Sequence, residues 1–156
     1  MNSPILKIKV QLDDGAIMPA KAYDSDSGFD LFLKEDISLP VGFYKCINTG
    51  VHLDLPKGWE GQIRPRSSSA RRCLDIVFGT IDSGYTGAIG IFVKYEPSDY
   101  DMSVFGNTLH LKKGERIAQL VLNLVPEVVL EMGKIEPKTT GRCDKGFGST
   151  GVWKNG

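Results

Sequence analysis

The sequence predicts an all-β domain, a sandwich or barrel of short strands. Three observations carry this. Apolar and polar residues alternate with period two in short runs, 18 Gly and 8 Pro are spread between those runs as turns, and one short stretch alone fits a helix. At 156 residues and 41% hydrophobic content, the chain suits one domain able to bury a real core, with no length left for a second.

The elements follow in order. Leu6, Ile8, Val10 and Leu12 alternate with Lys7, Lys9 and Gln11, the pattern of a strand with one buried face. Val51, Leu53 and Leu55 repeat it around His52 and Asp54. Residues 67–74 begin with Ser67, whose hydroxyl can cap free amides, and form the one short helix. Residues 79–90 read as a β-hairpin with Asp82 and Tyr85 at its tip. Residues 88–95 and 119–125 are richer in apolar and β-branched side chains, as expected of strands buried on both faces. Residues 96–101 are polar and turn-rich and read as an exposed loop or hairpin tip.

Charge and cysteine content exclude several classes. Lys plus Arg number 19 and Asp plus Glu number 19, so no global field draws the chain to duplex nucleic acid or an anionic membrane, and phosphate binding must be local. Cys46, Cys73 and Cys143 are widely spaced and only His52 and His110 accompany them, which indicates neither a disulfide framework nor a zinc site. A reducing, cytoplasmic setting fits. No apolar run has bilayer length and no basic leader precedes an apolar stretch, so the expectation is a soluble, unprocessed protein.

Five segments carry chemistry suited to a nucleotide. Residues 22–31 concentrate Asp24, Asp26 and Asp30 among small residues; hard oxygen ligands of this kind suit Mg²⁺, and an Asp/Ser-rich turn uses them equally. Residues 64–71 bring Arg66, Ser67 and Ser68 to the predicted helix start, either as an anion site or as a capped helix with a basic solvated face. In residues 79–90, Asp82 could orient a water as a base, although an ordinary hairpin places Asp and Gly similarly. Residues 112–120 offer the Gln119 amide beside an apolar run, with Arg116 suited to a structural ion pair. The Gly-rich tail from Gly141 to Gly151 carries Arg142 to clamp a phosphate, Phe147 to stack on a base, and Gly148 and Ser149 to approach a ligand closely; a solvated chain end has the same composition.

These five blocks, in this order over residues 20–151, resemble the five motifs of the trimeric dUTP pyrophosphatases, the dUTPases. The resemblance implies a jelly-roll-like subunit with one short helix, a homotrimer, and active sites at subunit boundaries. It implies a β-rich domain over residues 1–140 and a flexible arm, 141–156, that closes a neighbouring site once triphosphate is bound. Carried over by position, Asp82 is the carboxylate that orients the attacking water, and Tyr85 the ring beneath deoxyribose. Gly79 and Gly90, with Thr80 and Ile81 beside them, are the substrate-binding positions that read uracil. Arg66, Ser67, Ser68 and Gln119 fall at phosphate-contacting positions, and Asp30 where a carboxylate holds a water on triphosphate-bound Mg²⁺. Arg142, Phe147, Gly148 and Ser149 match the arm. The implied reaction is dUTP hydrolysis to dUMP and pyrophosphate, with Mg²⁺ as cofactor.

Departures and rivals bear on this. Ser68 and Ser69 stand where Gly and an apolar residue are commoner, Thr86 replaces a frequent basic residue, and Cys143 and Lys145 replace arm glycines, which narrows backbone freedom there. The dCTP deaminases share the fold and a block like residues 66–71, but they need a glutamate where this chain has Phe92. A binding or regulatory protein on the same fold would use residues 96–107, longer than the family's usual hairpin. Intact Asp82 and Tyr85 weigh against loss of catalysis.

Overall fold

The computed structural model describes residues 5–136. By contact the chain divides into two units, Met1–Pro126 and Glu127–Gly156. In the second, residues 127–136 form no helix or strand. The expected boundary near residue 140 and every arm position, Arg142, Phe147, Gly148 and Ser149 included, lie outside the described residues.

The first unit is almost wholly β. Its strands are β1 Lys9–Leu12, β2 Gly28–Phe32, β3 Ile37–Pro40, β4 Tyr44–Asn48, β5 Val51–Asp54, β6 Trp59–Arg64, β7 Leu74–Ile76, β8 Gly79–Ile81, β9 Gly90–Tyr95, β10 Thr108–Leu111 and β11 Arg116–Leu124, with helices α1 Ser67–Arg71 and α2 Asp99–Phe105. They form a four-stranded sheet ordered β2-β11-β6-β8, a three-stranded sheet β4-β9-β7, and the pairs β1-β5 and β10-β3, antiparallel throughout. One apolar cluster draws on every sheet: Val51 from β5, Leu111 from β10, Leu31 and Ile63 from the four-stranded sheet, Ile91 and Val93 from the three-stranded one. Each such side chain, fully buried, contributes about 1.5–3 kcal/mol, which far exceeds any single turn preference and sets the strand faces.

The all-β class, and strands at β1, β5, β9 and β11, follow the sequence pattern. Four expectations are corrected. Strand β9 is not buried on both faces: Ile91, Val93 and Tyr95 are buried while Gly90 and Phe92 point outward, because the sheet covers one side only. There is a second helix, α2, where a loop or hairpin tip was expected. Ser98 accepts from the Asp101 backbone N–H at 3.2 Å and the Asp101 carboxylate accepts from the Ser98 N–H at 3.3 Å, a reciprocal cap that nucleates the turn. Gly106 at φ 81° ends it. Helix α1 is shorter than residues 67–74, and its N-cap is Arg66 rather than Ser67; Ser69 reaches back to the Arg66 N–H at 3.4 Å. Finally, residues 79–90 are not a hairpin. Strand β8 pairs with β6 and β9 with β4 and β7, so residues 82–89 cross from one sheet to another.

Candidate active site

That crossing builds a cleft of about 490 Å³. Gly79, Thr80, Ile81, Asp82, Tyr85 and Gly90 line it, together with Cys46, Asn48, Ile63, Ala88, Ile89 and Phe92. Six of the predicted site residues thus share one cavity. The backbone N–H of Tyr85 donates to the Asp82 carbonyl at 3.0 Å, closing a turn that presents the Asp82 side chain to solvent. Among the described residues no hydrogen bond or ion pair occupies the Asp82 carboxylate. The Tyr85 ring lies across Gly87, where an added Cβ would stand 2.5 Å from the hydroxyl oxygen, and that hydroxyl donates to the Ala88 carbonyl at 2.9 Å. Gly87 is therefore what allows the ring to fold back over the loop and reach Ala88. Gly90 is equally constrained, since a Cβ there would meet Cys46 Sγ at 2.9 Å.

Arg66 and Ser67 line a different cleft, of about 730 Å³, with Tyr44, Asp75, Val77 and Phe78 among its walls. The two clefts share no residue. Ser67 and Ser68 are exposed. Arg66 is tied on two sides: one guanidinium nitrogen donates to Ser68 Oγ at 3.1 Å, and Nε lies 2.8 Å from Asp30 Oδ1. Arg116 Nε lies 2.8 Å from Asp30 Oδ2, the structural pairing expected of it. Gln119, opposite Asp30 in the β11–β2 ladder, donates through Nε2 to the Pro65 carbonyl at 2.9 Å and so fixes the turn that leads into Arg66. Gly28 makes room for it; a Cβ there would fall 2.6 Å from the Gln119 side-chain Oε1.

A resident metal cage does not fit these residues. Among the described residues no group of three or more His, Cys, Asp or Glu converges, and both oxygens of Asp30 are bound to guanidinium. A cation carried on a triphosphate does fit, because each carboxylate oxygen keeps a further lone pair for a metal-bound water.

Sequence reasoning missed the Asp30–Arg66–Arg116 triad and the outer walls of the first cleft. Of the walls, Phe92 was recoverable by period-two alternation from Gly90 along β9, whereas Cys46 and Asn48 enter only through the pairing of β4 with β9, strands distant in sequence. The triad was not recoverable, since its members come from separate elements.

Known proteins match this arrangement over nearly its whole length. The dUTPase family model matches residues 14–151. The deoxyuridine 5'-triphosphate nucleotidohydrolase of Clostridium novyi (strain NT) is 38% identical over 144 residues, covering 90% of this chain and 94% of the relative. That of Trichodesmium erythraeum (strain IMS101) is 40% identical over 150 residues, covering 94% and 99%. The Staphylococcus bacteriophage 80alpha dUTPase with dUPNHPP superposes with a TM-score of 0.83 at 30% identity, over 94% of this chain and 99% of that one. With an exposed carboxylate and a packed tyrosine ring in one cleft, the antiparallel all-β architecture around them, and likeness of this extent, the chain belongs to the dUTPase family.

Proposed function

We propose that the chain hydrolyses dUTP to dUMP and pyrophosphate by one in-line attack of water on the α-phosphorus, with Asp82 holding that water. The observation that carries this reading is the unpaired, exposed Asp82 carboxylate in the same cleft as the Tyr85 ring and the Gly79 and Gly90 backbone. Asp82 accepts a hydrogen bond from the water, orients its lone pair at phosphorus and takes the proton the water loses as the new P–O bond forms; the bond to the bridging oxygen breaks and pyrophosphate leaves with that oxygen. Tyr85 stacks under the deoxyribose, and the backbone at Gly79 and Gly90, with Thr80 and Ile81, reads the uracil edge. Arg66, Ser67 and Ser68 take the phosphates, Gln119 sets the turn before them, and Arg142, Phe147, Gly148 and Ser149 clamp phosphate and base. When bound on the triphosphate, Mg²⁺ would supply neutralisation of phosphate charge, and Asp30 would hold one of its waters. A related dUTPase, from phage phi11 of S. aureus at 27% identity, has a structural Mg(II) ion.

The site is composite in this reading. Because Asp82 and Arg66 line separate clefts of one chain, a neighbouring copy brings the second cleft's residues to the first, which a homotrimer satisfies. Deamination of dCTP is disfavoured by Phe92, which stands in the cleft wall with no acid or base to offer. No helix among the described residues is long and apolar enough to cross a membrane.

The deciding experiment measures pyrophosphate and ammonia release from dUTP, dCTP and dTTP, with and without Mg²⁺, on protein of known sedimentation. Pyrophosphate from dUTP, Mg²⁺-dependent and made by a trimer, is expected. Ammonia from dCTP without dUTP turnover overturns the reaction, and a fully active monomer overturns the composite site.

A further inference from the structure

His52 stands on β5 opposite Gln11 of β1, and its ring bridges two acceptors. Nδ1 lies 2.8 Å from the Thr86 backbone carbonyl oxygen, and Nε2 lies 3.0 Å from Asp13 Oδ1. A neutral imidazole carries a single N–H, whereas a carbonyl and a carboxylate both need one donated to them. Only the imidazolium satisfies both at once. In accord with that geometry, the Thr86 carbonyl and then the Asp13 carboxylate hold His52 above its ordinary value of 6.5, against partial desolvation. Lys9 and Asp54 face each other in the β1–β5 ladder on the same recess and offset one another; Asp82, four residues before Thr86, is the charged group on the loop side.

Thr86 lies in the middle of the crossing that carries Asp82 and Tyr85. At its exit the crossing is anchored by backbone and side chain alike: Ile89 N–H donates to Val51 O at 2.8 Å, and the buried Thr49 hydroxyl donates to Ile89 O at 2.9 Å. Tyr85 contributes the bonds that shape the loop from inside, its N–H to the Asp82 carbonyl and its hydroxyl to the Ala88 carbonyl, whereas the His52 bond ties the middle of the loop to β5.

We propose that protonated His52 is a positioning residue for the hydrolysis: its ring, braced on Asp13 through one nitrogen, ties Thr86 to β5 through the other and so sets where the Tyr85 ring and the Asp82 carboxylate stand. This rests on the roles proposed above for those two residues. Loss of the proton leaves one donor for two acceptors, and one tether opens. The sign follows: positioning is complete below the ordinary histidine pKa and is lost as pH rises through the higher value of the folded protein.

The test follows kcat and KM for dUTP from about pH 6 to pH 9 in the wild-type protein, His52→Gln and Asp13→Asn, with ring titration of His52 by NMR; a His110→Gln variant assigns the two histidine signals. His52 is expected to titrate above 6.5, and wild-type kcat/KM to fall about threefold through that pKa. In His52→Gln that limb disappears and kcat/KM stays at the high-pH level; in Asp13→Asn the limb moves to lower pH. Ionisation of the substrate is common to all variants and cancels in their ratios. A wild-type His52 that titrates at or below 6.5, or parallel wild-type and His52→Gln profiles, overturns the proposal. Should His52→Gln fail to fold, the wild-type titration and the Asp13→Asn profile still decide. An Asp82→Asn control separates the two readings. Retained turnover in it removes Asp82 from the mechanism, while its loss alongside parallel profiles removes His52 alone.

Discussion

Two carboxylates of this domain lie in opposite surroundings. Asp30 is largely buried on β2 and gives both oxygens to guanidinium groups, those of Arg66 and Arg116. Asp82 sits on an exposed turn between two sheets and gives its oxygens to no protein group among the described residues. The difference separates structure from chemistry. A carboxylate locked between two cations fixes Arg66, the arginine proposed above to take phosphate, and has its charge already answered. A carboxylate presented by a backbone turn, with its ring neighbour pinned through Ala88, has no protein partner among the described residues, as the water-orienting role proposed above requires. Mutation at the first should cost stability and activity together; mutation at the second should cost activity alone.

The strongest attempt to break this contrast is Asp82→Asn. Size and shape are retained while the charge that orients water is lost, so kcat should fall about 10²–10⁴-fold with KM far less changed. Melting should stay within about 0.5 kcal/mol of wild type, because no partner is removed. Steady-state kinetics beside thermal denaturation read both quantities. Unchanged turnover would remove Asp82 from the mechanism; a large loss of stability would mean that its carboxylate has a structural partner.

Asp30→Asn is the converse. It leaves Arg66 and Arg116 facing a neutral amide, and the expected destabilisation is about 1–3 kcal/mol, toward the lower end because half of the Arg116 side chain is solvated and its pairing is screened. Release of Arg66 from its fixed rotamer should lower kcat/KM about tenfold, below the effect at Asp82. Denaturant unfolding of wild type and variant at neutral pH, with kinetics under the same conditions, checks this. If Asp30→Asn melts as wild type does, the triad contributes nothing and the contrast fails on its structural side.

The fold was legible where local pattern and core burial agree. Alternation in residues 51–55 locates β5 because Val51 and Leu53 pack inward, whereas in residues 6–12 the expected buried face is not formed: only Ile8 and Val10 pack, half-buried, against the core, Leu6 and Leu12 are exposed, and β1 covers Lys9–Leu12 alone. For residues 88–95 the apolar richness located the strand but not its faces, since Phe92 is as apolar as its buried neighbours and lines a cleft. The site residues were legible as blocks and not as a geometry. Nothing local says that β8 and β9 belong to different sheets, or that Asp30, Arg66 and Arg116 meet, because strand partners come from distant parts of the chain. Helix α2 was legible and was missed: Ser98 and Asp101 at capping-box spacing, with Gly106 after the last turn, outweigh the polar composition that suggested a loop.

The smallest expected effect belongs to that helix and sharpens the contrast by isolating stability. Ser98 caps α2 through its hydroxyl, which accepts from the Asp101 N–H and donates to the Asp101 carboxylate at 2.6 Å. Ser98→Ala removes both bonds and should cost about 1 kcal/mol, the usual worth of an N-cap, or about 2–4 °C in melting for a domain of this size. Neither carboxylate, nor His52, touches the segment, and none of its residues lines either cleft. Turnover of dUTP at a temperature well below melting should therefore equal that of wild type. Measuring Tm and kcat/KM in parallel checks both halves. Equal kinetics with a lowered Tm would show that modest destabilisation leaves the site intact, so a kinetic loss in Asp30→Asn must come from the arginine it orders or the metal-bound water it holds, and not from lowered stability. A kinetic loss in Ser98→Ala would mean that α2 supports the site, and stability and chemistry could no longer be separated by these two carboxylates.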